Sequence, residues 1–233
     1  MKKIIFLSII LSCFAFSYDI NNIQSILTSG ININHTTKGK TKNILIKREI
    51  NPKCKAIYIE NDVFWEENYA NNEIDDSCKS TFITSAGRTI SPMKIHKDIE
   101  TFGELEVLYF IKKMKNDNNL LLIDTREEDW YNFKTIPGAI NIHYVFITKP
   151  SIFDVEFKSS LNKFGVFGYK KPFDFSKAKT LLLFCNGAWC SQSTRMAKHL
   201  ILLGYPPKKI KWYRGGMQSW LSLSMTSTMK IEN

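Results

Sequence analysis

The stretch Leu181 to Ser193, L-L-L-F-C-N-G-A-W-C-S-Q-S, limits what this chain can fold into more than any other. Four apolar residues in a row, Leu181 to Phe184, fit a short strand covered on both faces. They stop at Cys185. A compact run containing Gly187 follows, then Cys190, and Ser191-Gln192-Ser193-Thr194 opens a helical pattern. A thiol in a tight turn between a strand end and a helix start lies where backbone N–H groups converge and favour an anion. The same field is expected to lower the pKa of Cys185 and make its thiolate available.

The neighbouring sequence supplies the rest of a sheet. Gly103 to about Met114 reads as a helix capped by Thr101, with Leu105, Leu108, Tyr109 and Ile111 on its apolar face. Leu120 to Ile123 is a second continuous apolar strand, ended by Asp124-Thr125-Arg126, and Glu127 to Phe133 gives one or two helical turns. Thr135 to Ala139 turns into a short strand, Ile140-Asn141-Ile142, and Phe153 to Phe164 suits a helix. After the opening stretch a helix runs through Met196, Leu200 and Leu203 to Gly204. Ile210 to Tyr213 is a further strand, and Arg214 to Met217 turns into a last helix holding Trp220. Strands alternating with helices predict an α/β fold with a parallel sheet. Reactive groups of such sheets sit at the carboxyl ends of strands, where Cys185 falls.

Three separated motifs, in order, resemble the rhodanese-like domain. Leu122-Ile123-Asp124-Thr125-Arg126 is similar to that family's D-x-R strand end, and Ile136-Pro137-Gly138-Ala139-Ile140-Asn141-Ile142 to its I-P-G-A-x-x-I turn. Tyr213-Arg214-Gly215-Gly216-Met217-Gln218-Ser219-Trp220 resembles its closing G-G-x-x-x-W. The C-N-G-x-W-C loop also looks like a branch of exported bacterial rhodanese-like proteins. The resemblance covers roughly residues 101–222 and leaves 18–100 as a small N-terminal accessory region and 223–233 as a tail. It implies a rhodanese-like parallel sheet flanked by helices. It also implies sulfur transfer through a persulfide on Cys185, whose anion the backbone of Asn186, Gly187, Ala188, Trp189, Cys190 and Ser191 would cradle. Asp124, Arg126, Gly138, Gly215 and Gly216 would be structural, as an ion pair and tight turns.

The loop departs from the common C-x-x-G-x-R. Ala188 stands at the Gly position and Cys190 at the Arg position, so a fixed cation for an anionic donor is missing. That loss is worth about 1.5–3 kcal/mol of charge-assisted hydrogen bonding and argues against thiosulfate as donor. Cys190 has two readings: a resolving thiol, its pKa lowered at the helix N-terminus, that forms a disulfide with Cys185, or a small filler beneath the loop. Trp189 either packs over the site or grips a partner. The expected function is an exported sulfurtransferase carrying sulfane sulfur on Cys185. A thiol–disulfide protein using Cys185 and Cys190, or a non-catalytic binding module, is the alternative. The partners expected are a small sulfur donor and a thiol acceptor, including a periplasmic protein thiol. No cofactor, metal or nucleic acid is expected, because metal-ligand spacings, glycine-rich nucleotide loops and basic–aromatic motifs are missing from the sequence.

The N-terminus gives the address. Lys2-Lys3, an apolar run from Ile4 to Phe16 and Ala15-Phe16-Ser17 read as a cleaved signal peptide over residues 1–17, and hence as export to the periplasm. A membrane tether would follow only from lipidation at Cys13, within Ile10-Leu11-Ser12-Cys13. Cleavage would lower the formal charge from +10 to +8 by removing two lysines. In an oxidising compartment Cys54 and Cys78 are candidates for a structural disulfide. Residues 18–97 read as irregular, with a short helix over Asp19–Leu27 and strands over Asn43–Ile50 and Cys54–Glu60.

Overall fold

A computed structural model describes residues 30–47, 90–168 and 172–228. The main sheet has five parallel strands: β3 (Glu100–Phe102), β4 (Leu120–Asp124), β5 (Ile140–Asn141), β6 (Thr180–Phe184) and β7 (Ile210–Tyr213), in the order β3-β7-β6-β4-β5. The central strands β4 and β6 run Leu120↔Thr180 to Asp124↔Phe184, so the residues after both strands open at the same edge. The chain order reverses between them, which is where an open α/β sheet leaves a crevice.

Alternation along these strands builds two cores. Ile123, Leu181, Leu183, Ile210 and Trp212 face one side. There they meet α3 (Tyr144–Thr148), α4 (Asp154–Lys163) and α5 (Gln192–Leu203), through Ile147, Phe157, Leu161, Met196, Ala197 and Leu200. Leu122, Leu182, Phe184 and Tyr213 face the other side, against α1 (Glu104–Met114) and α6 (Gly216–Ser222). Burial on both faces explains why β4 and β6 read as unbroken apolar runs rather than alternating ones. The α2 turn (Glu128–Phe133) follows β4. α5 ends at Gly204, whose φ of 103° is the left-handed C-cap that glycine adopts without a Cβ clash.

Several local expectations shift. Thr101 lies in β3, and Gly103 caps α1 instead, its N–H donating to the Glu106 carboxylate at 2.9 Å. α1 buries Val107, Leu108, Phe110 and Ile111, so Leu105 and Tyr109 flank the buried face rather than form it. The turn of helix at α3 went unread because Pro150 and the short run hide its period.

The accessory region contributes a hairpin. β1 (Ile31–Thr37) and β2 (Lys40–Ile46) pair antiparallel from Ile31↔Ile46 to Thr37↔Lys40. Lys38 and Gly39 form the two-residue turn with φ of 49° and 75°, both positive as such a turn requires. In β1 the apolar Ile31 and Ile33 alternate with exposed Asn32 and Asn34, and the two isoleucines join Ile46 in the α1-side core. β2 therefore stops at Ile46 rather than running over Asn43–Ile50, and residues 48–50 lie outside the described residues. The helix read over Asp19–Leu27, the strand over Cys54–Glu60, the signal peptide with Cys13, and the Cys54/Cys78 pair also lie outside them. Residues 226–228 strap the hairpin down. Thr226 exchanges hydrogen bonds with Lys47, and Thr228 with Thr135, while Trp220 Nε1 donates to the Thr226 carbonyl at 2.8 Å.

Candidate active site

Asp124 and Arg126 brace the strand ends from below. The guanidinium donates to both carboxylate oxygens of Asp124, at 2.7 Å for Nη2–Oδ2 and 2.9 Å for Nε–Oδ1, with both side chains buried. It also donates to the Lys134 carbonyl and, through Nη1, to Asn186 Oδ1 at 3.1 Å. Thr135 Oγ1 donates to Asp124 Oδ2 at 2.7 Å. A buried carboxylate whose lone pairs are filled by a fork and a hydroxyl is well placed to hold a charge in low dielectric. The pair therefore does more than secure the sheet edge: it reaches the cysteine loop.

α6 braces the loop from behind. The N–H groups of Met217 and Gln218 donate to the carbonyls of Cys185 and Asn186 at 3.0 and 2.9 Å. Gly216 makes this approach possible. Its φ is 56°, and a Cβ there would lie 2.3 Å from the Cys185 carbonyl oxygen. A Cβ on Gly215 would lie 2.7 Å from Ser219 Cβ. Across the top, Trp189 Nε1 donates to Gln218 Oε1 at 2.5 Å, Cys190 N–H closes a turn on the Gly187 carbonyl, and Ser91 N–H donates to the Ala188 carbonyl at 2.8 Å. Arg214 Nε in turn holds the Ser91 carbonyl at 3.0 Å. The segment before β3 thus lies against the loop. Trp189 is half-buried against Gln218 of α6, and Ser191 is exposed at the N-cap of α5.

Both thiols are free and buried, Cys185 at 2% exposure and Cys190 at 7%. Ser193 Oγ donates to Cys185 Sγ at 3.3 Å, and Trp212 Nε1 donates to Ser193 Oγ at 3.1 Å. Cys185 Sγ donates to the Cys190 carbonyl at 3.2 Å. The field acts on the two sulfurs in opposite senses. Burial, then the neighbouring Cys190, push the Cys185 thiol well above its ordinary range. Cys190 is brought down to about 6, first by the hydrogen bond from Cys185 and then by the N–H groups of Gln192 and Asn186 and the Arg126 charge, against the cost of burial. The acidification expected of Cys185 is therefore not found, since the buried thiol is raised, while the lowering expected of Cys190 at the helix start is.

Ser193, Trp212, Gln218 and Ser91 were not singled out from the sequence. Ser193 had a readable signal: it occupies the position of the apolar stripe Met196, Ala197 and Leu200 one turn earlier, so a polar side chain there points inward. Arg195 does not replace the missing loop arginine. It is exposed, with its guanidinium over the Tyr144 ring at 5.2 Å. Gly138, in the I-P-G-A turn, serves the hairpin rather than the loop. Its φ is 89°, its N–H donates to His35 Nδ1 at 3.2 Å, and a Cβ there would lie 2.8 Å from Ile33 Cγ1. Among the described residues no group of three or more His, Cys, Asp or Glu is placed to hold a metal ion.

The family model for the rhodanese-like domain matches residues 109–223, a span that holds the buried ion pair, both thiols and the α6 turn. Residues 109–223 are a rhodanese-like domain. No curated protein matches the chain. Among solved structures, the BH2092 protein of Bacillus halodurans is 19% identical over 57% of this chain and 79% of its own, with a TM-score of 0.40. A structure described as rhodanese with anions from E. coli is 19% identical over 47% of this chain and 98% of its own, with a TM-score of 0.30. The rhodanese-like domain of the Anabaena sp. Alr3790 protein is 13% identical over 57% and 80%, with a TM-score of 0.37. At such identities the likeness is one of fold alone. The rhodanese-like domain makes a sulfurtransferase-type function plausible for its strand-end thiols.

Proposed function

We propose that this protein is an exported sulfurtransferase that carries sulfane sulfur as a persulfide on Cys185, with Cys190 as its partner thiol. The observation that carries this reading is the pair itself: two free thiols on one braced loop at the carboxyl end of β6, with the Cys185 thiol donating to the Cys190 carbonyl at 3.2 Å. Sulfane sulfur moves by attack of a thiolate on a sulfur–sulfur bond, and the pair supplies both a stabilised thiolate and a second thiol beside it. The donor class that fits is a hydropersulfide or polysulfide. Arg126 is engaged by Asp124, Lys134 and Asn186, and Arg195 by Tyr144, so neither is offered to a sulfonate head. The address rests on the N-terminal sequence, and the periplasm remains part of the proposal.

The presence of both free thiols on this one loop favours a second reading, a dithiol that cycles to a Cys185–Cys190 disulfide. The experiment offers purified protein inorganic polysulfide and then cyanide, and measures thiocyanate with peptide mapping of both cysteines. Thiocyanate that disappears with Cys185→Ser supports the sulfur carrier. A disulfide formed without thiocyanate replaces it with the redox reading, and neither product leaves a binding module.

A further inference from the structure

Ser193 is wholly buried, one turn before Met196 and Ala197 on the face of α5 that meets the sheet. Its hydroxyl links a strand to the site. Trp212 Nε1, from β7, donates to Ser193 Oγ at 3.1 Å, and Ser193 Oγ donates to Cys185 Sγ at 3.3 Å. A structural account covers the first bond, because a buried indole N–H needs an acceptor and Ser193 supplies it. It does not cover the second. A helical hydroxyl commonly gives its proton to a carbonyl one turn back, as Thr194 does to Ser191 and Ser160 to Glu156. Ser193 gives its proton to a sulfur instead.

As a thiol, Cys185 donates to the Cys190 carbonyl at 3.2 Å, with the Gly187 carbonyl farther off at 4.0 Å, and accepts from Ser193. Loss of the thiol proton, or its replacement by a sulfur atom, ends the donation to the carbonyls. The Ser193 donation survives both changes. Among the described residues Ser193 is thus the side-chain donor to this sulfur whether it is a thiol, a thiolate or the inner sulfur of a persulfide.

We propose that Ser193 is a catalytic residue of the sulfur carrier, its hydroxyl donating to the Cys185 sulfur as sulfane sulfur arrives and departs, and that Trp212 is the positioning residue that aims it. The inference rests on the sulfur-carrier reading above and adds the group that steadies the carrying atom. In loading, Cys185 gives its thiol proton to solvent, and the thiolate attacks the outer sulfur of a hydropersulfide R–S–SH. The donor's S–S bond breaks, a Cys185–S–SH bond forms, and R–S⁻ leaves. In release, cyanide attacks the outer sulfur of the ionised persulfide. A C–S bond forms, the S–S bond breaks, and its electron pair stays on the Cys185 sulfur as thiocyanate departs. Neither step needs an oxidant or a reductant. Negative charge thus rests on the Cys185 sulfur before the first bond forms and after the last one breaks. A hydroxyl already held against that sulfur stabilises both states without reorganising.

The test compares wild type, Trp212→Phe, and the double variant Trp212→Phe with Ser193→Ala. Phenylalanine has no N–H, so the double variant strands no buried indole donor, as Ser193→Ala alone would. Each protein is loaded with glutathione hydropersulfide and given cyanide, and thiocyanate release is timed. Alkylation of Cys185 against pH is mapped on the same proteins by mass spectrometry. The expected result is release slower in the double variant than in Trp212→Phe by about tenfold, with the Cys185 alkylation midpoint moved to higher pH. Equal rates and equal midpoints in the two variants would show that Ser193 serves the indole alone, overturning the proposal and leaving the sulfur carrier intact. No thiocyanate from the wild type overturns both. Unmutated protein gives a second measurement that does not depend on variants folding. Loading of Cys185 should shift the indole N–H resonance of Trp212 and leave that of Trp220, which donates to the Thr226 carbonyl in the other core, in place. An unmoved Trp212 resonance overturns the proposal.

Discussion

Replacing Arg126 by Met should damage stability and cysteine reactivity together, because one guanidinium serves both. Its removal leaves Asp124 buried with the Thr135 hydroxyl and the backbone N–H of residue 126 but without its counter-charge. Breaking a buried pair from one side costs about 3–5 kcal/mol, since the abandoned charge stays desolvated. Such a loss is a large share of the roughly 5–15 kcal/mol that holds a domain folded. The double variant Asp124→Asn with Arg126→Met removes the abandoned charge and should recover part of the loss, measured as the urea midpoint of each protein. The second effect is local. Arg126 fixes Asn186 through Nη1 and its charge lowers the Cys190 pKa, so the alkylation midpoint of Cys190 should rise in the single and the double variant alike. Two results would refute the reasoning: an Arg126→Met protein within about 1 kcal/mol of wild type, or an unchanged Cys190 midpoint in variants that remain folded.

The hairpin and the α6 turn each offer a further perturbation. Burial lowers the His35 pKa below 6.5, so the folded state resists protonation and unfolding takes up a proton. Stability from the docked hairpin is then complete above about pH 6.5 and declines as the pH falls. Hydrogen exchange of the β1 and β2 amides should accelerate on acidification in wild type and change less in His35→Gln, and an identical slope in both would exclude His35 as the sensitive group. At Gly216, alanine meets a φ of 56° and the Cys185 carbonyl at 2.3 Å. Left-handed backbone and forced displacement together should cost about 2–4 kcal/mol, seen as a lower melting temperature and a disturbed loading rate. A Gly216→Ala protein with wild-type values on both would show that the loop does not depend on that approach.

The parallel sheet was legible because both faces of β4 and β6 are buried, which turns them into unbroken apolar runs that no exposed segment resembles. β7 was readable at both ends for the same reason, with Ile210, Trp212 and Tyr213 all buried. The three-residue strand β3 was not, since Glu100-Thr101-Phe102 is too short for a period and its partner is remote in sequence at Lys211 to Tyr213. β1 had the clearest alternation in the first half of the chain, I-N-I-N, but its isoleucines point at a core made by residues a hundred positions later. Within the site, the presence of the two cysteines was readable and the depth at which each lies was not. The depth of a thiol depends on which side of the loop the amides of Asn186 and Gln192 face, and that follows from the brace of α6 and Arg126 rather than from spacing.

The departure at Cys190 gains a meaning from this geometry. A loop of converging N–H groups favours an anion at its centre. Where the resembling loops carry arginine, an incoming anionic donor is matched by a cation. In this chain the same position brings a thiol whose pKa is lowered to about 6, so it offers no fixed cation to an incoming anion. On the sulfur-carrier proposal, this change moves the expected chemistry from recognition of an anionic head to attack on a sulfur–sulfur bond, with Arg126 bracing Asn186 and the α6 amides the Cys185 and Asn186 carbonyls. The hairpin acts separately. It fixes the Gly138 turn, while Thr228 of the C-terminal strap holds Thr135, whose hydroxyl donates to the Asp124 carboxylate on which Arg126 rests. Undocking the strap should therefore reach Cys190 through the ion pair rather than by direct contact.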